Sequence, residues 1–375
     1  MQFERFDNST KSFLDSGFVE GLPLNPDAKH TVLRQGLLDY YNTYHSLRGN
    51  FYEYLHQLPN GKVEMSQAKG HEFLRRYFSG VSFIQLFIEL AVKEILENIN
   101  PILVTGKLNN KDPDTKESKF ITYISSNDLG RFGKLGQDHT IAYSTALNRL
   151  IKLINSDSSI PANFKVDPKY HFFAQNEGML YYLAEIRNEI IHKADRVISK
   201  YSWELLFVNY IIPFVNTWLD TQDNMPMLER RLHRGINILD SLSSIKLNVN
   251  YQSGTNYNAI QKNLRHINHL KELGRASYNN HIHMYETWSE DARNNATEDY
   301  EDKLRKKSVS EILECKKQYI VKMNVCPCCG LESNGVFLDY WNDKFAYCEN
   351  CTYLIYEKEL GDPYEFELTE NKVFD

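Results

Sequence analysis

Residues 182–192 read Tyr182-Leu183-Ala184-Glu185-Ile186-Arg187-Asn188-Glu189-Ile190-Ile191-His192. The stretch closes an amphipathic helix expected over about 171–193. An arginine, then a polar residue, with a histidine five positions beyond the arginine, sets a phosphate-binding cation and a titratable acid/base on one helix. That pair can cleave RNA without a metal. An Arg and a His at this spacing can also serve only as core hydrogen bonds and a charge contact at a helix C-terminus. The surroundings decide between the two readings.

Outward from the motif, apolar periodicity predicts three more helices. One runs over about 67–99, with Phe83, Phe87, Leu90, Ile95 and Ile99 on its apolar face, and stops before Pro101. Another fits about 138–154 through Ile141, Leu147, Leu150, Ile151 and Ile154. The last runs over about 200–219 with Trp203, Leu206, Phe207, Tyr210, Phe214 and Trp218, and Pro213 is expected to kink it. Four helices in sequence are enough for a bundle. Residues 1–66 read as an N-terminal helical extension, 67–222 as the bundle, 223–320 as a helical region and linker, and 321–375 as a small β unit with a tail. Within 223–320, helices are expected over 226–245 and through Leu264, Ile267, Leu270 and Leu273, and residues 103–136 read as irregular.

The last unit carries the most specific spacing in the chain. Of six cysteines, five lie between 326 and 351, which in a cytosolic chain points to metal rather than disulfides. Cys326-Pro327-Cys328-Cys329-Gly330 and Cys348-Glu349-Asn350-Cys351 form two C-x-x-C knuckles with 18 residues between them. Each knuckle aims two thiolates at one point, and two knuckles complete a tetrahedral site suited to Zn2+. Cys326, Cys329, Cys348 and Cys351 are the expected ligands, and Cys328 competes with Cys326 for the same role. With four protein ligands the zinc is structural, not catalytic. Short aromatic and β-branched runs at Val336–Trp341, Lys344–Tyr347 and Tyr353–Tyr356 supply the hairpins. This segment resembles a zinc ribbon over residues 324–358. Cys315 lies outside the pattern and reads as an ordinary cysteine.

The bundle resembles a HEPN domain: four helices, with Arg187-Asn188 and His192 near the end of the third, and Glu89 with Lys93 on the first in a Glu-x-x-x-Lys pattern. The resemblance covers about 67–220 and implies a mainly α fold: a HEPN-like four-helix bundle with helical extensions and a small C-terminal β zinc ribbon. It implies a metal-independent endoribonuclease, needing no cofactor for catalysis, in anti-phage defence or as a toxin. It also implies a homodimer whose two motifs face one cleft, an RNA substrate, and a partner protein of the defence or toxin system. Carried onto this chain, Arg187 binds the scissile phosphate and His192 acts as general acid or base. Asn188, four residues before His192, orients the imidazole or the phosphate. Glu89 pairs with Arg187 or His192 across the bundle. Two residues past the histidine, where members silenced by AMP addition carry tyrosine, stands Ala194. The other reading of the same features is a non-catalytic adaptor that binds nucleic acid or a partner protein.

A net charge of −6 and a pI near 6.1 argue against coating nucleic acid by bulk positive charge, so an RNA substrate needs a local cationic pocket. No stretch approaches a membrane span and the N-terminus has no signal-peptide pattern, so the expected compartment is the cytoplasm. His266 and His269, at i and i+3, read as part of an exposed polar helix rather than a metal pair; His281 and His283 follow nearby. The charged run Lys303–Lys307 is diluted by Glu301, Asp302 and Glu311. No P-loop, G-x-G-x-x-G or G-x-S-x-G occurs, which leaves an ATP- or NAD-driven enzyme without its fingerprint.

Overall fold

A computed structural model describes residues 28–47, 67–108, 117–134, 140–193, 200–222, 237–247, 257–279, 320–328, 334–338, 344–348 and 351–356. The described chain is mainly helical, with a four-stranded antiparallel sheet near its C-terminus. None of the described helices is long and apolar enough to cross a membrane.

Helix α1 (Ala28–Leu47) lies along α2 (Gln67–Ile99). The two backbones approach closely at glycines. A Cβ on Gly36 would meet Ile84 Cδ1 at 2.8 Å, and Gly80 faces Asp39 and Tyr40 across the same crossing. Asp39 is buried there and accepts from Arg76 Nη1 at 2.9 Å, Ser79 Oγ at 2.5 Å and Gln35 Nε2 at 3.2 Å. A buried carboxylate survives only when its oxygens are satisfied this fully. On α2 the buried stripe is Val81, Ile84, Phe87, Ile88, Ala91, Val92 and Ile95, whereas Phe83 and Leu90 are half-buried. The core-facing stripe is thus turned by about one residue from the expected face, because α2 is covered by several helices at once.

After α3 (Ile102–Thr105) come β1 (Gly106–Lys107), α4 (Phe120–Ser125) and β2 (Gly133–Lys134), and β1 pairs with β2. This region lacks periodicity in sequence, yet it is organised by one side chain of α5 (Tyr143–Asn155). Arg149, fully buried, donates from Nη1 to the carbonyls of Leu103 and Gly106 at 2.8 Å each, and pairs with Glu117. Its guanidinium lies 5.4 Å from the Phe120 ring and 5.3 Å from the Phe132 ring.

The short α6 (Phe172–Gln175) leads into α7 (Glu177–Lys193), then α8 (Lys200–Leu206), a π-helical turn (Phe207–Ile211) and α9 (Ile212–Asp220). Pro213 cannot donate to the carbonyl four residues back, and the π turn sits immediately upstream of it. The expected kink is therefore a π turn. Before and within it, Trp203 and Phe207 pack on Tyr77 and Tyr40. Beyond it, Phe214 and Trp218 pack on Phe173 and Phe87. Tyr210, expected in the core, is 40% exposed.

Helix α10 (Ile238–Ser244) is capped by Asn237 and packs on α9 and on α11 (Tyr257–Asn279). The strands β3 (Ile320–Asn324), β4 (Asn334–Leu338), β5 (Lys344–Cys348) and β6 (Leu354–Tyr356) follow in spatial order β3-β4-β5-β6. β3 was not expected from sequence. Residues 1–27, 48–66 and 280–319, with the charged run Lys303–Lys307 and with Cys315, His281 and His283, lie outside the described residues.

Helix α11 corrects the expectation for the His266–His269 segment. Asn268, His269, Lys271, Glu272 and Arg275 are all buried alongside Leu264, Ile267, Leu270 and Leu273. One side of α11 lies on α1, so closely that a Cβ on Gly274 would meet the Tyr41 ring at 2.8 Å. Another side lies under the sheet, where His269 Nε2 and the Tyr353 hydroxyl are 3.0 Å apart. Lys271 Nζ is fully enclosed, 2.6 Å from Glu204 Oε1 and 2.7 Å from Thr43 Oγ1, and 4.5 Å from the centre of the Tyr40 ring. Tyr40 in turn donates to Glu204 Oε2 at 2.8 Å. Burial lowers the Lys271 pKa and the Glu204 charge opposes that.

Breaking this pair from one side leaves an uncompensated buried carboxylate. Lys271→Ala is expected to lower the unfolding free energy by about 3–5 kcal/mol in urea titration, whereas Lys271→Met with Glu204→Leu recovers most of the loss. Burial, then the His266 charge, lowers His269 to about 3, against 6.5 for a free imidazole. The unfolded chain then binds the extra proton, so this stability is full above about pH 6.5 and is lost as pH falls toward 3. Below pH 6.5, wild type should lose stability faster than His269→Gln by about 1.4 kcal/mol per pH unit in parallel denaturant titrations. Equal slopes would show that His269 does not titrate in this way.

Candidate functional site

Two sets of side chains are candidates for chemistry. In the first, Cys326 follows β3, Cys348 ends β5, and Cys351 lies in the turn before β6. The three thiols are buried and lie within 4.8 Å of one another. Cys326 Sγ and Cys351 Sγ are 3.6 Å apart, and neither cysteine is in a disulfide. A disulfide would need about 2.05 Å. Two thiolates on a tetrahedral metal with bonds of about 2.3 Å stand about 3.8 Å apart. The spacing therefore fits the edge of a metal–thiolate tetrahedron, and the three residues could hold a metal ion. The Cys328 amide donates to Cys326 Sγ at 3.4 Å, as the turn of a metal-binding knuckle does. Cys328 itself is buried with its thiol 3.8 Å from the Leu273 carbonyl, apart from the three-thiol group. Between Cys326 and Cys328, the structure thus puts Cys326 in the cluster. Cys329 lies outside the described residues.

Around the thiols sits a polar shell that the sequence did not signal. The turn is closed by Thr352 N donating to the Cys348 carbonyl at 2.9 Å and Cys348 N donating to the Tyr353 carbonyl at 2.8 Å. Thr352 has φ of 61°, in the left-handed region that a β-branched residue avoids. From α11, Glu272 and Arg275 reach this turn. Tyr353 is held neutral, its pKa raised by burial first and then by the neighbouring thiols and Glu272.

The second set is on α7. Arg187 is half-buried, and its Nη1 donates to Asn188 Oδ1 at 3.1 Å; Asn188 is exposed. Among the described residues no carboxylate pairs with Arg187. His192 falls in the last turn of α7, and its side chain lies outside the described residues. Glu89 does not reach Arg187. It accepts from Lys93 Nζ at 2.6 Å and from Gln85 Nε2 at 3.4 Å on its own helix, and Lys93 also donates to Thr140 Oγ1 at 2.9 Å. The expected Glu89 and Lys93 are thus brought together, and the physical reason is their i, i+4 spacing on α2. Beside Glu89, Tyr143 donates to the Leu180 carbonyl at 3.3 Å; burial and then the Glu89 charge raise its pKa.

Between α7 and α8 lies a mostly apolar cleft of about 360 Å³, lined by Met179, Tyr182, Leu205, Leu206 and Tyr210. Tyr182 and Tyr210 are its exposed aromatic rims. The clue in sequence was slight: Tyr210 falls in an apolar series and is displaced from it only by the π turn. In comparisons with family models, curated proteins and solved structures, none matches this chain.

Metal content measures the first set directly. Cys326→Ser, Cys348→Ser and Cys351→Ser should each abolish stoichiometric metal in the purified protein by elemental analysis. Cys328→Ser should retain one metal per chain. Loss of metal in Cys328→Ser, with retention in Cys326→Ser, would reverse the assignment.

Proposed function

We propose that this chain is a metal-independent endoribonuclease of HEPN type, with a structural zinc ribbon. One observation carries the reading: among the described residues, the Arg187 guanidinium has no carboxylate partner, and its only hydrogen bond there is to the adjacent Asn188. An arginine held in this way keeps its charge available for an anion, and the histidine one turn further on supplies the proton transfer. With Glu89 taken by Lys93, nothing described on α2 neutralises Arg187.

In this reading Arg187 binds the scissile phosphate and Asn188 fixes the guanidinium plane. The 2′-hydroxyl attacks phosphorus, forming the P–O2′ bond as the P–O5′ bond breaks. His192 of one copy takes the 2′-hydroxyl proton, and His192 of a second copy donates a proton to the leaving 5′-oxygen. The products are a 2′,3′-cyclic phosphate and a 5′-hydroxyl, and no redox step or metal enters. The dimer, the RNA substrate and the role in anti-phage defence or as a toxin belong to this proposal. So does zinc bound by Cys326, Cys329, Cys348 and Cys351, where it would lock the sheet's knuckles as a small domain's staple.

A second reading, an adaptor that docks a partner protein, is favoured by the apolar cleft with its two exposed tyrosines. Cleavage separates the two. Full-length protein with its thiol-bound metal retained should cut single-stranded RNA in EDTA, leaving 5′-hydroxyl ends. Arg187→Ala and His192→Ala should each slow cleavage by about 10²–10⁴-fold. Wild-type rates in both variants would remove the nuclease reading; so would absence of cleavage by wild type, and the adaptor would stand.

A further inference from the structure

The ribbon's polar shell contains an ion pair with no obvious reason to be buried. Glu272 and Arg275 are one turn apart on α11, both enclosed, and joined by two bonds: Nε to Oε2 at 2.9 Å and Nη2 to Oε1 at 2.7 Å. Burying two charges gains little stability by itself, since desolvation offsets the attraction. The remaining capacity of both groups is spent on one place. Arg275 Nη1 donates to Thr352 Oγ1 at 3.0 Å, its Nη2 donates to the Thr352 carbonyl, and Glu272 Oε1 accepts from Leu354 N at 2.7 Å. All three contacts fall within three residues of Cys351.

Thr352 is where that help is needed. It must hold a left-handed backbone for the turn to bring Cys348 and Cys351 together, and its own branched side chain opposes that conformation. Glycine is the residue that would adopt it freely. Arg275 grips both the carbonyl and the hydroxyl of Thr352, which fixes that conformation from outside the turn. Electrostatics act in the same direction. Burial opposes the Arg275 charge, the Glu272 hydrogen bond and charge outweigh it, and Cys351 and Cys328 add to the raised pKa. A cluster of metal-bound thiolates carries excess negative charge, and outer cations and hydrogen bonds tune its affinity.

We propose that Arg275, oriented by Glu272, is the positioning residue of the thiol metal centre, so that metal binding and docking of the sheet on α11 are one linked equilibrium. The inference rests on the reading that Cys326, Cys348 and Cys351 hold a metal. Its consequence reaches beyond the ribbon, because α11 is also the helix that carries Lys271 into the Glu204, Thr43 and Tyr40 site.

The test uses the full chain, with zinc affinity measured against a chromophoric chelator and the cobalt(II)–thiolate absorption band as a second readout. Arg275→Gln should weaken zinc binding by about 10–100-fold and shift the cobalt band. It should also shrink the rise in melting temperature that zinc confers on the helical signal. Adding Thr352→Gly to Arg275→Gln should recover much of the affinity, because glycine needs no clamp to hold the turn. Arg275→Lys should not recover it, since an ammonium cannot grip carbonyl and hydroxyl in the fixed fork of a guanidinium. Affinity within twofold of wild type in Arg275→Gln, or no recovery in the double variant, would overturn the positioning role while leaving the metal centre standing. Wild type that binds neither zinc nor cobalt would overturn both.

Discussion

Lys271 carries a charge into a place that water does not reach, and the helix that brings it there packs on α1, on α10 and on the sheet. Its ammonium is satisfied by Glu204 from α8 and Thr43 from α1, with the Tyr40 ring beneath. A buried charge of this kind contributes little net stability, but it tolerates few alternative placements: a shift of α11 by one residue would take Lys271 away from both Glu204 and Thr43. Four residues along, Arg275 makes the same demand toward the sheet. Between them Gly274 admits the Tyr41 ring at a distance no other residue allows. The helix is therefore fixed in rotation and in register by polar groups, while apolar burial supplies the driving force.

This arrangement explains what was legible in the chain and what was not. The helices over 67–99 and 143–155, and the long α8–α9 segment, follow from apolar spacing, and their bounds were readable to within a few residues. Ile141, Leu147, Leu150, Ile151 and Ile154 are buried as the periodicity requires. Helix α11 also follows from its apolar residues Leu264, Ile267, Leu270 and Leu273, but the burial of His269 beside them does not. His269, Lys271, Glu272 and Arg275 look like a solvated face, and they are buried because partners at Glu204 and in residues 352–354 satisfy them. No local pattern announces partners that far along the chain. The segment 103–134 hid its order in the same way, since a single arginine, Arg149, ties its carbonyls and aromatic rings together.

The two candidate sites differ in how far residue type alone could locate them. Thiol spacing in sequence translates almost directly into thiol spacing in space, because a C-x-x-C turn has few conformations. It settles three of the expected ligands into one cluster and sets Cys328 aside. The motif on α7 carries no such guarantee. Among the described residues its arginine keeps only its neighbouring asparagine as a partner, and the acidic residue expected to meet it has a nearer lysine. A helix places i, i+4 partners together whatever the bundle does, so Glu89 meets Lys93 on its own helix.

The π turn at Phe207–Ile211 changes how insertions and deletions in this chain should be understood. An α-helix advances about 100° per residue, so the one residue that a π turn adds rotates all that follows by about that amount. Upstream, Trp203 faces the α1–α2 side; downstream, Phe214 and Trp218 face α6 and the middle of α2. One continuous rod thus serves two parts of the same core. A gap of a single position between 207 and 211 in a related chain would not be a harmless change of length. It would mark a relative whose α8–α9 rod has had to be rebuilt.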